Sequence, residues 1–438
     1  MSLHDEEMNM RREKREALRR RRQAEQKRLR VMLILAVVVL ALCGAGIYML
    51  SRNAGASSGA EKEENTLQTE AATQPTEETQ RQERSTTTTI HIRAAGDLNI
   101  TDRVVESGLA IGGYDYGRAF MDVAALLSDA DLTLLNLEGN ICGEPYGSAT
   151  GSAPVELLTG LRNAGVDMLQ VANSCSVRNG LIGLSSTLQA IRSAGLEPVG
   201  AFASESEFNS SGGYTITEIQ GIKVAFVAFT KGVGGMGMPA GNENLVNLLY
   251  EDYSSTYKKV DTQGINRILR AVEAQKPDIT VALLHWGSEY NDEISSTQES
   301  IVALMQKRGV DIIIGTHPHM VQHIDYDPVT GNLVAYSLGD FFGDASRAGT
   351  NYSIILDLEI TRDTTTGITR VTDYSYIPIY TLKEEDCDGY RRVVRIDMML
   401  EAYDENYLDK ITKTAYESMQ YSLERIEDRV TPPEEEED

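Results

Sequence analysis

VDIIIGTHPH (residues 310–319) decides the fold class. Its apolar half is too continuous for a strand with one wet face and too short for a helix, so it reads as a strand buried on both faces. It then stops on polar side chains. The same form recurs in TIHIRAAGD (89–97), DLTLLNLEG (131–139), VDMLQVANS (166–174), KVAFVAFT (223–230) and DITVALLHWG (278–287). Between these runs lie segments of helical period, RAFMDVAALLSDA (118–130), LSSTLQAIRSAG (184–195), GINRILRAVEAQ (264–275) and STQESIVALMQKRG (296–309). Several close on Gly, a frequent helix stop. Strand–helix alternation of this kind predicts an α/β fold with buried sheets. After residue 320 the runs NLVAYSLGDFF, TNYSIILDLEI and TRVTDYSYIPIY read as further strands with period-two stretches, which suit antiparallel pairing. A helical segment over 404–429 follows.

The polar endings matter most. They are Gly96-Asp97, Asn136-Leu137-Glu138, Asn173, His285 and His317-Pro318-His319. In α/β sheets the carboxyl ends of strands open onto the ligand crevice, so five such endings can converge on one site. Any one alone is ordinary: an Asp after Gly is often a turn, and a lone His is often a satisfied core residue. Together, three of the six histidines and two carboxylates form a donor set suited to Zn, Mn or Fe. Two such ions sharing a carboxylate can activate water and clamp phosphate oxygens, the chemistry of phosphoester hydrolysis. The Gly-rich stretch GVGGMGMPAG (232–241) lacks the Lys-Ser ending of a phosphate-binding loop and reads as a flexible loop bordering the cleft.

Outward from this core, residues 31–50 (VMLILAVVVLALCGAGIYML) carry no charge over twenty positions, enough to cross a bilayer as one helix. Residues 1–30 before them hold 11 Lys/Arg against 6 Asp/Glu. That asymmetry predicts a single-pass anchor with a cytoplasmic amino terminus and an extracytoplasmic main domain. A cleaved signal peptide is the competing reading, with small residues at 54–60 offering cleavage sites. Residues 51–88 read as a disordered linker, 89–430 as the folded domain and 431–438 (TPPEEEED) as an acidic tail. Since the first 30 residues contribute +5 to a total of −24, the chain beyond residue 50 carries −29. A body so acidic excludes nucleic acid as a partner. Four cysteines in 438 residues exclude a disulfide scaffold, with Cys142–Cys175 the bridge left open.

The order Gly96-Asp97, NLE (136–138), HWGSEY (285–290), GTHPHMVQ (315–322) and YSLGDFF (336–342) resembles the CapA family of capsule or poly-γ-glutamate synthesis proteins. The resemblance covers roughly residues 89–345. It implies a calcineurin-like metallophosphatase fold, a two-sheet sandwich flanked by helices, preceded here by one transmembrane helix. It also implies metal ligands at Asp97, Glu138, His285, His317 and His319, with Asn99 in the place of a ligand His. Glu138 and His285 carry the catalytic roles. Cell-surface polymer or other capsule-assembly proteins are the implied partners.

The chain departs from the family pattern at VANSCSVRNG (171–180), where Ser174 replaces a ligand Asn, Cys175 the active-site His and Arg178 an Asp. Asp340 stands in place of an Asn. Losing a general acid costs about 10²–10⁴-fold in rate. Three readings of Cys175 follow: a thiolate metal ligand, a nucleophile, or the mark of a decayed domain that binds or scaffolds without catalysis. The metal count is correspondingly open at two, one or none. A γ-glutamyl polymer would be repelled by this acidic body unless a metal or Arg178 supplied local positive charge.

Overall fold

The computed structural model describes residues 86–405 and 411–431; the expected span at 31–50, most of the linker and the tail after residue 431 lie outside them. Among the described residues no helix is long and apolar enough to cross a membrane. The chain runs through β1 (Thr87–Asn99), α1 (Asp102–Ser107), a small hairpin of β2 (Leu109–Ala110) and β3 (Gly113–Tyr114), α2 (Gly117–Ser128) and β4 (Leu132–Glu138). Next come α3 (Glu156–Asn163), β5 (Met168–Gln170), α4 (Gly180–Ser193), β6 (Glu197–Val199), α5 (Glu205–Ser211), β7 (Thr215–Ile219) and β8 (Ile222–Thr230). Then α6 (Thr262–Ala274) precedes β9 (Ile279–His285), and α7 (Ser296–Gln306) precedes β10 (Ile312–Thr316). The remainder is β11 (Ile324–Tyr326), β12 (Leu333–Ala335), β13 (Asp340–Phe342), β14 (Tyr352–Asp363), β15 (Thr369–Leu382), β16 (Arg392–Arg395), α8 (Ile396–Asp404) and α9 (Lys413–Val430).

These strands form two mixed sheets. One has the order β16-β15-β14-β1-β4-β5-β6, with β13 also paired to β1; the other is β11-β12-β10-β9-β8-β7. Strands β1, β4, β5 and β6 are parallel, as are β8, β9, β10 and β12, while β14, β15 and β16 add in antiparallel fashion. The sheets meet through β1 with β10 and β6 with β8. Their parallel strands are buried along nearly their whole length, as continuous apolar runs require.

Register in the parallel regions has a local cause in the sequence. An Asp stands immediately before each of β4, β5, β9 and β10. Its carboxylate accepts the backbone N–H of the neighbouring strand: Asp131 from His91 (2.7 Å), Asp167 from Thr133 (2.9 Å), Asp278 from Lys223 (2.7 Å) and Asp311 from Thr280 (2.8 Å). The Asp backbone N–H donates back to the carbonyl of that same residue in all four cases. Each clamp therefore fixes one strand against the next at its amino end, so the carboxyl ends fall at defined positions.

Burial pushes the Asp311 carboxyl up to about 6, with the Thr280 N–H opposing the shift. A folded pKa above the unfolded value means that the native state binds the extra proton, so this residue's contribution to stability falls as pH rises from about 4 through about 6. Asp311→Asn, which keeps an acceptor oxygen, is expected to be more stable than wild type at pH 7 and not at pH 4. Urea unfolding at the two pH values checks this.

The helix expected over 404–429 starts later, at Lys413, and a separate short helix precedes it. Helix α8 ends at Asp404, and α9 begins after Thr412, whose hydroxyl accepts the Ala415 N–H (3.1 Å) as an N-cap.

Candidate metal centre

Strand β1 is irregular where it carries Asp97. Its pairing to β4 shifts register between Ala94 and Asp97, and its pairing to β13 shifts between Asp97 and Leu98. Gly96 makes this possible, because a Cβ there would lie 1.8 Å from the Gly339 carbonyl oxygen. That carbonyl accepts the Asp97 N–H (2.9 Å). The Asp97 carboxylate is thereby held fully buried between the sheets. Oδ1 accepts from Asn136 Nδ2 (2.6 Å) at the end of β4, and Oδ2 accepts the His317 N–H (2.9 Å) beyond β10.

The other expected ligands arrive the same way. Glu138 is the last residue of β4 and His285 the last of β9. His317 and His319 flank Pro318 just past β10, both in left-handed backbone (φ 93° and 58°) that non-Gly residues rarely adopt. Such strain costs roughly 1–3 kcal/mol per residue and clusters at functional sites. It brings the rings to 6.1 Å from one another, with His317 4.5 Å from His285.

Three groups of donor atoms lie within 4.8 Å of one another: Glu138, His285 and His317; Asp97, Glu138 and His319; and Glu289, His317 and His319. The structure thus brings Asp97, Glu138, His285, His317 and His319 together. Within these groups Glu138 Oε2 and His317 Nδ1 are buried without a hydrogen-bond partner. Native proteins rarely tolerate such atoms unless another ligand satisfies them. A mixed nitrogen and carboxylate set with orphaned, buried donors fits a divalent cation, without distinguishing Mn, Zn or Fe.

Electrostatics follow from burial. Burial pushes His285 down to about 3 and His317 well below its ordinary value, so both imidazoles are neutral and keep a lone pair. Thr316 Oγ1 lies 3.2 Å and Asn136 Nδ2 3.5 Å from His285 Nδ1, so the ring is oriented through that nitrogen and turns Nε2 toward Glu138. His319 behaves oppositely: burial opposes its charge, but Asp340, Glu138 and Asp97 together push it up to about 11, so a cation bound at Nε2 would displace its proton. Its Nδ1 pairs with Asp340 Oδ1 at 2.7 Å. Burial, reinforced by the Glu138 charge, raises Asp97.

The departing residues take distinct positions. Ser174 Oγ sits 2.8 Å from His285 Nε2, itself 3.4 Å from Glu138 Oε1. Cys175 is half-buried and belongs to none of the three donor groups; burial and the Glu138 charge push its thiol up to about 12. Cys142, Cys175 and Cys387 are all free, so the Cys142–Cys175 bridge is not formed. Asn99 ends β1, half-buried and in register with Glu138. Arg178, expected as a source of positive charge, donates to the Ser148 carbonyl (2.7 Å) and the Ala149 carbonyl (3.4 Å) and stands 3.9 Å from Cys175 Sγ.

Sequence reading missed Glu289 and Lys231, both on loops where no period marks them. They line a cleft of ≈ 500 Å³ beside Ser174, Tyr257 and His317, bordered by Gly232, Gly234 and Gly235. Asp340 was legible only as a departure; its contact with His319 follows from the β13–β1 pairing, which no local pattern announces.

Residues 91–345 match the family described as bacterial capsule synthesis protein PGA_cap. The capsule biosynthesis protein CapA of Bacillus anthracis is 28% identical over 265 residues, 58% of this chain and 60% of that one. The PGA biosynthesis protein CapA of Bacillus subtilis (strain 168) is 28% identical over 206 residues, 47% of this chain and 50% of that one. The matches thus span half to three fifths of these relatives' lengths. Among solved structures, the calcineurin-like phosphoesterase YfkN from Bacillus subtilis covers 78% of this chain at 15% identity with a TM-score of 0.41. With most of its folded part matched in one continuous stretch, the chain belongs to the bacterial capsule synthesis protein PGA_cap family.

Proposed function

We propose that this chain acts at the cell surface in the synthesis or attachment of a γ-glutamyl type polymer, using a divalent-metal hydrolase site. Residues 31–50 would anchor it in the membrane with the amino terminus cytoplasmic. Capsule-assembly proteins are its proposed partners. The observation that carries the catalytic part is the pair of orphaned buried donors, Glu138 Oε2 and His317 Nδ1, inside a cluster fed by both sheets. Asp97, Glu138, His285, His317 and His319 would hold the metal. A divalent cation supplies Lewis-acid polarisation of an ester or amide oxygen and activation of water.

The chain's own residues do the rest. Asn136 and the His317 N–H fix the Asp97 carboxylate, and Asn173 fixes Asn136 in turn through a 3.0 Å bond. Thr316 orients His285, and Asp340 orients His319. These outer contacts set the donor directions, as they do in metal sites generally.

A second reading, a binding or scaffold domain without catalysis, is favoured by Ser174 and Cys175. The Ser174 hydroxyl lies 2.8 Å from His285 Nε2, where a metal would bind, and no imidazole stands at position 175 to protonate a leaving group. One experiment separates the two. The full chain, supplied with Mn²⁺, is incubated with γ-linked polyglutamate and the polymer length is followed. Catalysis predicts shortening or transfer by wild type and none by the His317→Ala/His319→Ala variant. Polymer unchanged by wild type, yet retained by it in a pull-down, would establish the scaffold reading instead.

A further inference from the structure

We propose that Lys231 is the anion-binding residue of the cleft, holding a carboxylate or phosphate oxygen of the substrate beside the metal donors. This deepens the proposed function, since it names how an acidic protein would accept an acidic polymer. Lys231 directly follows β8, and its N–H donates to the His285 carbonyl (2.8 Å). It therefore stands at the same carboxyl edge of the sheet as His285 and the His317–His319 turn, where α/β sheets take their ligands.

Its ammonium is positioned but not neutralised. Nζ donates to the Gly287 carbonyl (2.6 Å) and lies 4.8 Å from the centroid of the Tyr257 ring. An ammonium has three N–H donors, so two remain. Among the described residues no carboxylate pairs with it within 4.0 Å; burial holds its pKa below the usual lysine value, opposed by the charge of Glu289, which lines the same cleft. The side chain is half-buried, so its charge is screened less than that of a surface lysine. Lys231 lines this cleft and Arg178 does not, so Lys231 is, among the described residues, the lysine or arginine of the cleft wall. The flanking loop brings Gly234, in left-handed backbone, against the Ser174 carbonyl on the cleft wall, where an added Cβ would lie 3.1 Å away.

Isothermal titration of the full chain with inorganic phosphate, and separately with γ-glutamylglutamate, tests this. Lys231→Met is expected to weaken binding of at least one probe by about ten- to a hundredfold, the range for losing a hydrogen bond to a charged group. Loss on the phosphate arm alone identifies a phosphoryl ligand; loss on the peptide arm alone identifies a carboxylate. Metal content and melting temperature of the variant should equal those of wild type, which excludes a folding defect. Equal affinities of wild type and variant for both probes, or no binding of either probe by wild type, would overturn the proposal. Lysine-dependent binding by a chain that takes up no metal would sink the metal site and leave the lysine assignment standing.

Discussion

Glu138→Gln is expected to weaken divalent-metal binding by at least ~100-fold, the upper end of what disrupting even outer contacts of a metal site costs. Glu138 belongs to two of the three donor groups, and its Oε2 has no hydrogen-bond partner, with His319 Nε2 3.7 Å away. Gln keeps the volume but loses the negative charge, and it puts an NH₂ group where a cation would sit. The metal-free fold should survive the change, because relief of the Glu138–Asp97 repulsion offsets loss of the Glu138 attraction to His319. Metal titration, with thermal melting of the metal-free protein alongside, separates the two effects. Metal affinity within threefold of wild type would remove Glu138 from the site.

Gly96→Ala should damage both fold and site. The new methyl would meet a backbone carbonyl at 1.8 Å, and a carbonyl cannot rotate aside as a side chain can. Either β1 or β13 must move. The first displaces Asp97, and the second displaces Asp340, which begins β13 and holds His319. Overpacking of this kind costs about 1–3 kcal/mol, and at this position metal affinity should fall with it. Urea unfolding and metal titration of the same preparation check the pair of effects. A variant as stable as wild type with unchanged metal affinity would show that the close approach of Gly96 to Gly339 does not govern the site.

Most of this arrangement was legible because it is local. Each buried run announced its strand by apolar continuity, and each polar ending stood where the strand stops, so Asp97, Glu138, His285, His317 and His319 could be named without coordinates. What escaped depends on contacts distant in the chain. The three residues of β6 and the four of β16 are too short to show a period. The Asp340–His319 pair needs β13 laid parallel to β1. Lys231 and Glu289 sit on loops, and only the packing of β8 beside β9 brings the lysine to the histidines. The carbonyls that Arg178 meets, at 148 and 149, lie some thirty positions away in sequence, so no local pattern announces them.

The central claim is that the clustered donors hold metal despite Ser174 and Cys175. Elemental analysis of the full chain, purified without chelators and compared with Glu138→Gln as the blank, tests it most directly. The account predicts divalent metal in the wild type at one to two ions per chain and loss of that metal in the variant. Wild type no richer in metal than the blank, even after dialysis against Mn²⁺ or Zn²⁺, would contradict it.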